Sequence, residues 1–474
     1  MTSHRVARYV FATFGLALLL SWPAAAAAQS RLTPPALPSN SPLLGGVPTG
    51  TATAEPIPLS IADAIRRALE HNLGVLQAEE AVERATGARW LALSELLPNV
   101  NGSVSETRRK TNLEAFGFPL GPTFPRVVGP FNVFDARVFL QQSVFDLQSI
   151  NAARAESHQV SAARHSYRSA RELVVLVAAN LYLEGLAADA RATTARAQLE
   201  TAQALQAQAE DLRRSGIVAG IDVIRAEVRV STERQRATAA RASFEKIKLQ
   251  LARVIGLPTG QAITLSDEIP PVPVPEMTLE QALDRAHRDR PDYLAAQDRL
   301  RAAEAAREAA LAEHWPSVSV SADYGAIGLT AASALSTFAI TGIVNVPVFD
   351  GGKTRAHVVQ ATADRNNRRA ELDDMRAEID YDVRAAFLDL QSTSEQLQAA
   401  TRARELSALQ LTQSRDRFAA GVANNIEVIQ AQEAVALANE QYIDALFGYN
   451  LSKAVLGRAL GTVEEAIAKY LGGK

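Results

Sequence analysis

No cysteine occurs in the 474 residues, which removes disulfides, thiolate metal sites, cysteine nucleophiles and an acylated N-terminal cysteine together. Packing alone has to hold the fold. Beyond the first 28 residues no long uncharged apolar run is evident, so a bundle of membrane helices is not expected, and the remaining way to cross a bilayer is a β-barrel, whose alternating strands escape hydropathy scans. A formal net charge of −3 offers no basic excess for a nucleic-acid partner. The seven histidines are scattered, and although His158 and His165 stand seven apart on one helical face, nothing nearby completes a metal set. No phosphate-cradling glycine loop, nucleophile elbow or pair of catalytic carboxylates is present, which argues against an enzyme and leaves no cofactor to bind.

What is present begins with a basic stretch, Arg5 and Arg8, an apolar run from Val10 to Leu20 and a small-residue tract from Ala24 to Ala28. The run is too short to span a bilayer, and the pattern is that of a secretory signal peptide over residues 1–28. Residues 29–58 carry seven prolines, Pro34, Pro35, Pro38, Pro42, Pro48, Pro56 and Pro58, and read as an extended tether.

The rest of the chain is one pattern written twice. Ser60 and Thr278, and Pro98 and Pro316, stand 218 apart in matching contexts; Val144-Phe145-Asp146 and Val348-Phe349-Asp350 stand 204 apart, and Gly216–Gly256 matches Gly421–Gly461 at 205. The spacing divides the chain into a first repeat at 59–260, a Pro-rich linker at 261–277, a second repeat at 278–461 and a tail at 462–474. The first copy is 14 residues longer between 100 and 144, which is expected in an exposed loop. Each copy reads helix, strand, loop, strand, very long helix, tight turn, long helix. The first helix of each opens on a hydroxyl cap, Ser60 or Thr278, and is expected to run to Pro98 or Pro316.

After each proline the hydrophobic period changes from 3.6 to 2. Val318, Val320, Ala322 and Tyr324 alternate with Ser317, Ser319, Ser321 and Asp323, and Val100, Gly102 and Val104 begin likewise. Partner strands are expected near 133–144, where Ala136, Val138 and Leu140 oppose Asp135, Arg137 and Gln141, and near 337–348, with Phe338, Ile340, Val344 and Val346 on one face. Strands of about 10 residues have the length of a tilted bilayer crossing; the alternative, taking the strands alone, is a soluble hairpin with one wet face. In a membrane four strands cannot close, because the smallest barrels need about eight and an open edge in lipid leaves unpaired backbone groups. Three copies would supply twelve.

From Gln148 to Arg214 and from Lys353 to Phe418 there is no proline, and good helix formers dominate. Roughly 65 helical residues reach about 100 Å. Val223, Val230, Ala237, Phe244 and Leu251 recur every seven residues, flanked by Ala226, Ala240, Ile247 and Val254, and Val428, Val435, Tyr442, Tyr449 and Leu456 repeat the seam. That is a coiled-coil period with small residues for close approach.

Taken in order, the doubled layout, the Val348-Phe349-Asp350-Gly351-Gly352 turn and the two hairpin tips, 214–223 and 418–428, resemble the TolC-like outer membrane efflux proteins over nearly all of 58–461. The resemblance implies a mainly α chain with membrane β: a homotrimer whose twelve-stranded barrel sits in outer membrane lipid and continues as a twelve-helix α-barrel tunnel into the periplasm. It implies partners too, a periplasmic adaptor and an inner-membrane pump of RND, ABC or MFS type, in tripartite efflux or type I secretion. Adaptor contact falls at Gly216, Ile217, Val218, Gly421, Val422 and Ala423. The family's acidic entrance ring falls on Glu427 and Gln430 in the second copy and on Asp222 and Arg225 in the first, so half of it is missing. The latch tyrosine and arginine fall on Phe418 and Ala423, which lack the hydroxyl and guanidinium, and weaker latching is expected. Gly351 and Gly352 permit positive φ where strand swings into helix, with Asp350 capping the helix. The first copy, Asp146-Leu147-Gln148, is expected to turn less sharply. Arg108-Arg109-Lys110, placed after an outer strand, suits either a solvated loop or lipopolysaccharide phosphates. A periplasmic coiled-coil scaffold or adaptor without a pore shares the signal and the rods, but does not account for four strands at matching points of two repeats.

Overall fold

Helix and strand boundaries fall where caps and prolines place them, and the computed structural model shows these elements for residues 41–117, 125–216, 218–267, 277–420, 422 and 425–470. Residues 1–40, 268–276 and 471–474 lie outside the described residues, and with them the signal peptide, most of the linker and parts of the tether and tail. In order the elements are β1 (Ile57–Leu59), α1 (Ile61–His71), α2 (Leu73–Ser94), β2 (Asn99–Asn112), β3 (Val127–Phe145), α3 (Leu147–Arg214), α4 (Gly220–Val254), β4 (Ile263–Leu265), α5 (Leu279–Asp289), α6 (Pro291–Ala312), β5 (Ser317–Gly328), β6 (Leu335–Asn345), α7 (Lys353–Ala419), α8 (Asn425–Ala459) and α9 (Val463–Tyr470).

The first helix of each repeat is two helices, not one. Ser60 accepts from Asp63 N to open α1, but Asn72 then closes α1 and caps α2 through Gly74 N at 2.8 Å. In the second copy Thr278 and Gln281 form a reciprocal capping box, and Arg290 takes an extended conformation because Pro291 follows it. Both second pieces stop short of the proline, at Ser94 and Ala312. Asn72 is fully buried and its Nδ2 also donates to Leu43 O at 2.9 Å and Val254 O at 3.3 Å. Asn72→Ala is expected to lower stability by about 2–4 kcal/mol, since it strands buried carbonyls and a helix start; an unchanged thermal midpoint would contradict this.

Three further differences concern segments with no periodic signal. Residues 41–58 are docked rather than a free tether: Val47 N donates to His71 O, Thr49 N to Gly256 O, and β1 pairs in parallel with β4. Strands of three residues are too short to show alternation. The tail holds α9, whose Val463 and Ile467 are buried in the main core. Finally, α3 does contain an 18-residue window apolar enough for a membrane span, but 56% of that window is buried inside the protein. Its apolar side is the core itself: Val174, Val175, Ala178, Ala179, Tyr182 and Leu183 pack with Leu59, Leu251, Ile255 and Ile263. Tyr182 Oη lies 2.8 Å from Leu59 O and 3.0 Å from Asp267 Oδ2, and burial pushes its pKa up.

Where the Pro291 break meets α3, α7 and α8, five charges interlock. Arg290 bonds Asp292 at 2.8 Å and Asp382 at 2.9 Å, and Arg458 bonds Asp292 at 2.9 Å and Glu172 at 3.2 Å. Burial pushes Glu172 from 4.5 up to about 7, with Arg458 offsetting part of it. Asp292 is also raised by burial, but hydrogen bonds from Arg290 and the Arg458 charge bring it down to about 2. Because the folded state holds the Glu172 proton more tightly, that stabilisation is full below pH 4.5 and is lost as pH rises through about 7. The Asp292 contribution is lost only as pH falls through about 2. Glu172→Gln is therefore expected to flatten the fall in Tm between pH 5 and 8, and a wild-type Tm that does not fall over that window would overturn it.

Candidate functional site

The four long strands form one antiparallel sheet in the order β2-β3-β5-β6. Their lengths differ from the expected ten: β2 and β3 run for 14 and 19 residues, β5 and β6 for 12 and 11. The extra residues of the first copy thus lengthen the β2–β3 hairpin as well as its loop. Arg108-Arg109-Lys110 lies within β2, not after it, and the Arg109 guanidinium stands 5.9 Å from the Phe131 ring. Val346 falls beyond the end of β6.

Register separates the faces. Val104↔Ala136, Val138↔Tyr324, Tyr324↔Phe338 and Ala322↔Ile340 place one apolar set together, with Val104, Phe338 and Ile340 about three-quarters exposed. On the opposite face stand Asn101, Ser103, Ser105, Asp135, Arg137, Ser321, Asp323, Thr337 and Thr341. β2 and β6 each have one ladder unpaired within the described chain. A wide, dry-faced sheet with two free edges is not stable in isolation in water or in lipid.

The strand-to-helix turns sit at one end of this sheet. Asp350 accepts from Gly352 N at 2.9 Å and Thr354 N at 2.8 Å, with Gly351 at φ 67° and Gly352 at φ 89°. These bonds hold its carboxyl well below the usual range. The first copy turns more sharply, contrary to expectation: Asp146 alone separates β3 from α3, capping Gln148 N at 3.0 Å and Ser149 N at 3.3 Å. A single Asp cap does the work without glycine because no residue there needs positive φ.

At the far ends of the 68-residue α3 and 67-residue α7 lie the hairpin tips. α3 closes at Ser215, Gly216 takes φ 74°, and Gly216 N donates to Arg213 O, after which Val218 leads into α4. On the second hairpin Ala420 N donates to Asp416 O and Val422 N to Arg417 O. Ile217, Gly421, Ala423 and the Phe418 side chain lie outside the described residues. The expected entrance acids are both ion-paired within the chain: Glu427 with Arg417 at 3.1 Å and Asp222 with Arg225 at 3.1 Å. Gln430 is exposed one turn further along α8.

A second set of charges, carried by no motif, stands on α4 and α8. Arg229 of α4 reaches Glu433 of α8 at 2.7 Å and Glu233 at 3.1 Å, and Arg236 holds Glu233 at 3.0 Å. Glu233 is 1% exposed and Arg229 only 12%. Among the described residues, Arg229–Glu433 is the ion pair that joins α4 to α8. Its signal was in the heptads: Glu233 occupies the seam position between Ala226 and Ala240, where a lone charge requires a buried partner.

The sequence profile of the family described as "Outer membrane efflux protein" matches residues 64–257 and 282–462. The pyoverdine export outer membrane protein OpmQ of Pseudomonas putida is 23% identical over 407 residues, covering 84% of each chain. The alkaline protease secretion protein AprF of Pseudomonas aeruginosa is 22% identical over 424 residues, 86% of this chain and 85% of AprF. In three dimensions the CmeC outer membrane channel of Campylobacter jejuni superposes with a TM-score of 0.74 at 17% identity, over 91% of this chain and 93% of that one.

Proposed function

This chain belongs to the outer membrane efflux protein family, whose members are export channels and not enzymes, and from that premise we propose that three copies assemble into one passive conduit through the outer membrane. The observation that carries the trimer is the open sheet. Four strands with two free edges and one dry face need other copies to close, and three give a barrel of twelve with the apolar face on lipid and the polar face on the lumen. The paired long helices, α3 with α4 and α7 with α8, then supply twelve helices to a tunnel reaching into the periplasm for about 100 Å. The hairpin tips at Gly216–Val218 and Gly421–Ala423 face a periplasmic adaptor, and the adaptor connects to an inner-membrane pump of RND, ABC or MFS type.

One relative is named for pyoverdine export and another for alkaline protease secretion, so a shared fold serves cargoes of very different size. A passive conduit takes specificity from its pump. Heat-modifiable trimers in outer membrane fractions support the channel; release of a monomer by osmotic shock would instead support a periplasmic scaffold without a pore.

At the entrance, Glu427 and Asp222 stay partly masked by Arg417 and Arg225. Both pairs are solvent-accessible, so each contributes roughly 0–1 kcal/mol to stability and acts mainly on the local field. Arg417→Ala is expected to raise cation preference in planar bilayers and Glu427→Ala to lower it. Equal selectivity in the two variants would remove Glu427 from the entrance.

A further inference from the structure

We infer that Arg137, Asp135 and Asp323 form a second, lumen-side charge filter inside the barrel, independent of the hairpin tips. This rests on the proposed trimer with its polar face inward.

Arg137 stands mid-sheet on the polar face of β3 and bonds across three strands. Its Nη1 donates to Asp323 of β5, its Nε lies 3.3 Å from Asp135 and its Nη2 3.3 Å from Thr337 of β6. All three charged side chains are at least two-thirds covered by the chain itself, Arg137 being 16% exposed. The opposing position in β5 is Gly325, where a methyl group would lie 2.8 Å from Arg137 Cβ and 2.4 Å from Ala136 O. The absent side chain leaves the floor over which the guanidinium crosses. Residues flanking the cluster on the same face, Ser103, Ser105, Gln141, Ser321 and Thr341, are uncharged, and the other charge on that face, Arg109, is at the outer end beside Phe131.

Two carboxylates against one guanidinium leave each chain one negative charge at this level, and three copies make a ring of three. Twelve strands about 4.8 Å apart, tilted by about 40°, enclose a backbone radius of about 12 Å. Inward side chains narrow the water to a radius well inside the screening length of about 10 Å at 0.1 M salt. The ring's field therefore reaches the axis, favouring cations there.

The test is reversal potentials of the purified full chain in planar bilayers across a KCl gradient. Asp323→Asn and Asp135→Asn, each keeping a hydrogen-bond acceptor for Arg137, are expected to lower the K⁺ to Cl⁻ permeability ratio by about twofold, and Arg137→Gln to raise it by about twofold. Glu427→Ala combined with Asp323→Asn multiplies the two effects. Opposite shifts cannot come from a cluster that only ties strands together, since every variant then weakens the same stitch. If the wild type conducts but the Asp and Arg variants share its ratio, or shift it in the same direction, the filter is overturned and the channel stands. If Arg137→Gln does not assemble, the two Asn variants decide alone. A wild type that forms trimers but never conducts would remove the channel itself.

Discussion

Ile340→Arg is expected to leave almost no trimer in the outer membrane, while Thr341→Arg, its immediate neighbour, assembles nearly as well as the wild type. Ile340 is the central residue of β6, pairs with Ala322 and stands 73% exposed on the apolar face. Thr341 points to the polar face, opposite Ser321. An arginine on the lipid face of a barrel near the midplane costs about 2–4 kcal/mol. The proposed trimer carries it three times, so the assembly loses roughly 6–12 kcal/mol, comparable with the whole stability of a typical domain. On the lumen side the same charge meets water and costs little. The measurement is the heat-modifiable trimer band in outer membrane fractions, with refolding into vesicles as a second readout. If the two variants assemble alike, the sheet does not present that face to lipid.

The strands were legible because alternation over six to eight residues recurs at equal points of a doubled pattern, which an isolated hairpin does not account for. The long helices were legible for a simpler reason: nothing in them breaks a helix. What escaped the sequence was local or rests on contacts between segments distant along the chain. Asn72 and Arg290 break each leading helix, yet only the Arg290-Pro291 pair carries a written signal, and Asn72 acts through a local cap on Gly74 N and two bonds to distant backbone. β1 and β4 are three residues each and exist because they meet. At the tips, motif position located Glu427 and Asp222 but not the arginines that face them, since Arg417 lies ten residues away across a turn. Glu233 was visible as a charge in an apolar seam, and an unexplained seam charge is a reason to search the facing helix for its partner.

That partner set yields the second large effect. Arg229→Ala is expected to give wider and more frequent openings in single-channel recordings. Arg229 is the one side chain that holds Glu433 of α8 and Glu233 of α4 together, 2.7 Å from the first and 3.1 Å from the second. Glu433 is 58% exposed, so its half of the bridge is screened and contributes at most about 1 kcal/mol. Glu233 is not screened: at 1% exposure it would keep Arg236 alone, and removing one partner of a buried charge costs about 3–5 kcal/mol when nothing replaces it. Arg229 and Glu233 both lie on α4, so that loss falls on every arrangement of the hairpins alike; the Arg229–Glu433 bridge alone separates them, at most about 1 kcal/mol per copy, and about 1.4 kcal/mol is a tenfold shift in a two-state balance. In the proposed conduit an arrangement in which Arg229 reaches Glu433 bears the loss of that bridge, whereas one with α4 and α8 further apart does not. Glu433→Gln should therefore act in the same direction and to a similar extent, and Arg229→Lys should restore part of the closure. Phe418 and Ala423, to which the resemblance assigns the family's latch, carry neither a hydroxyl nor a cation. Equal conductance and open probability in wild type and Arg229→Ala would mean that the bridge spans helices which never part.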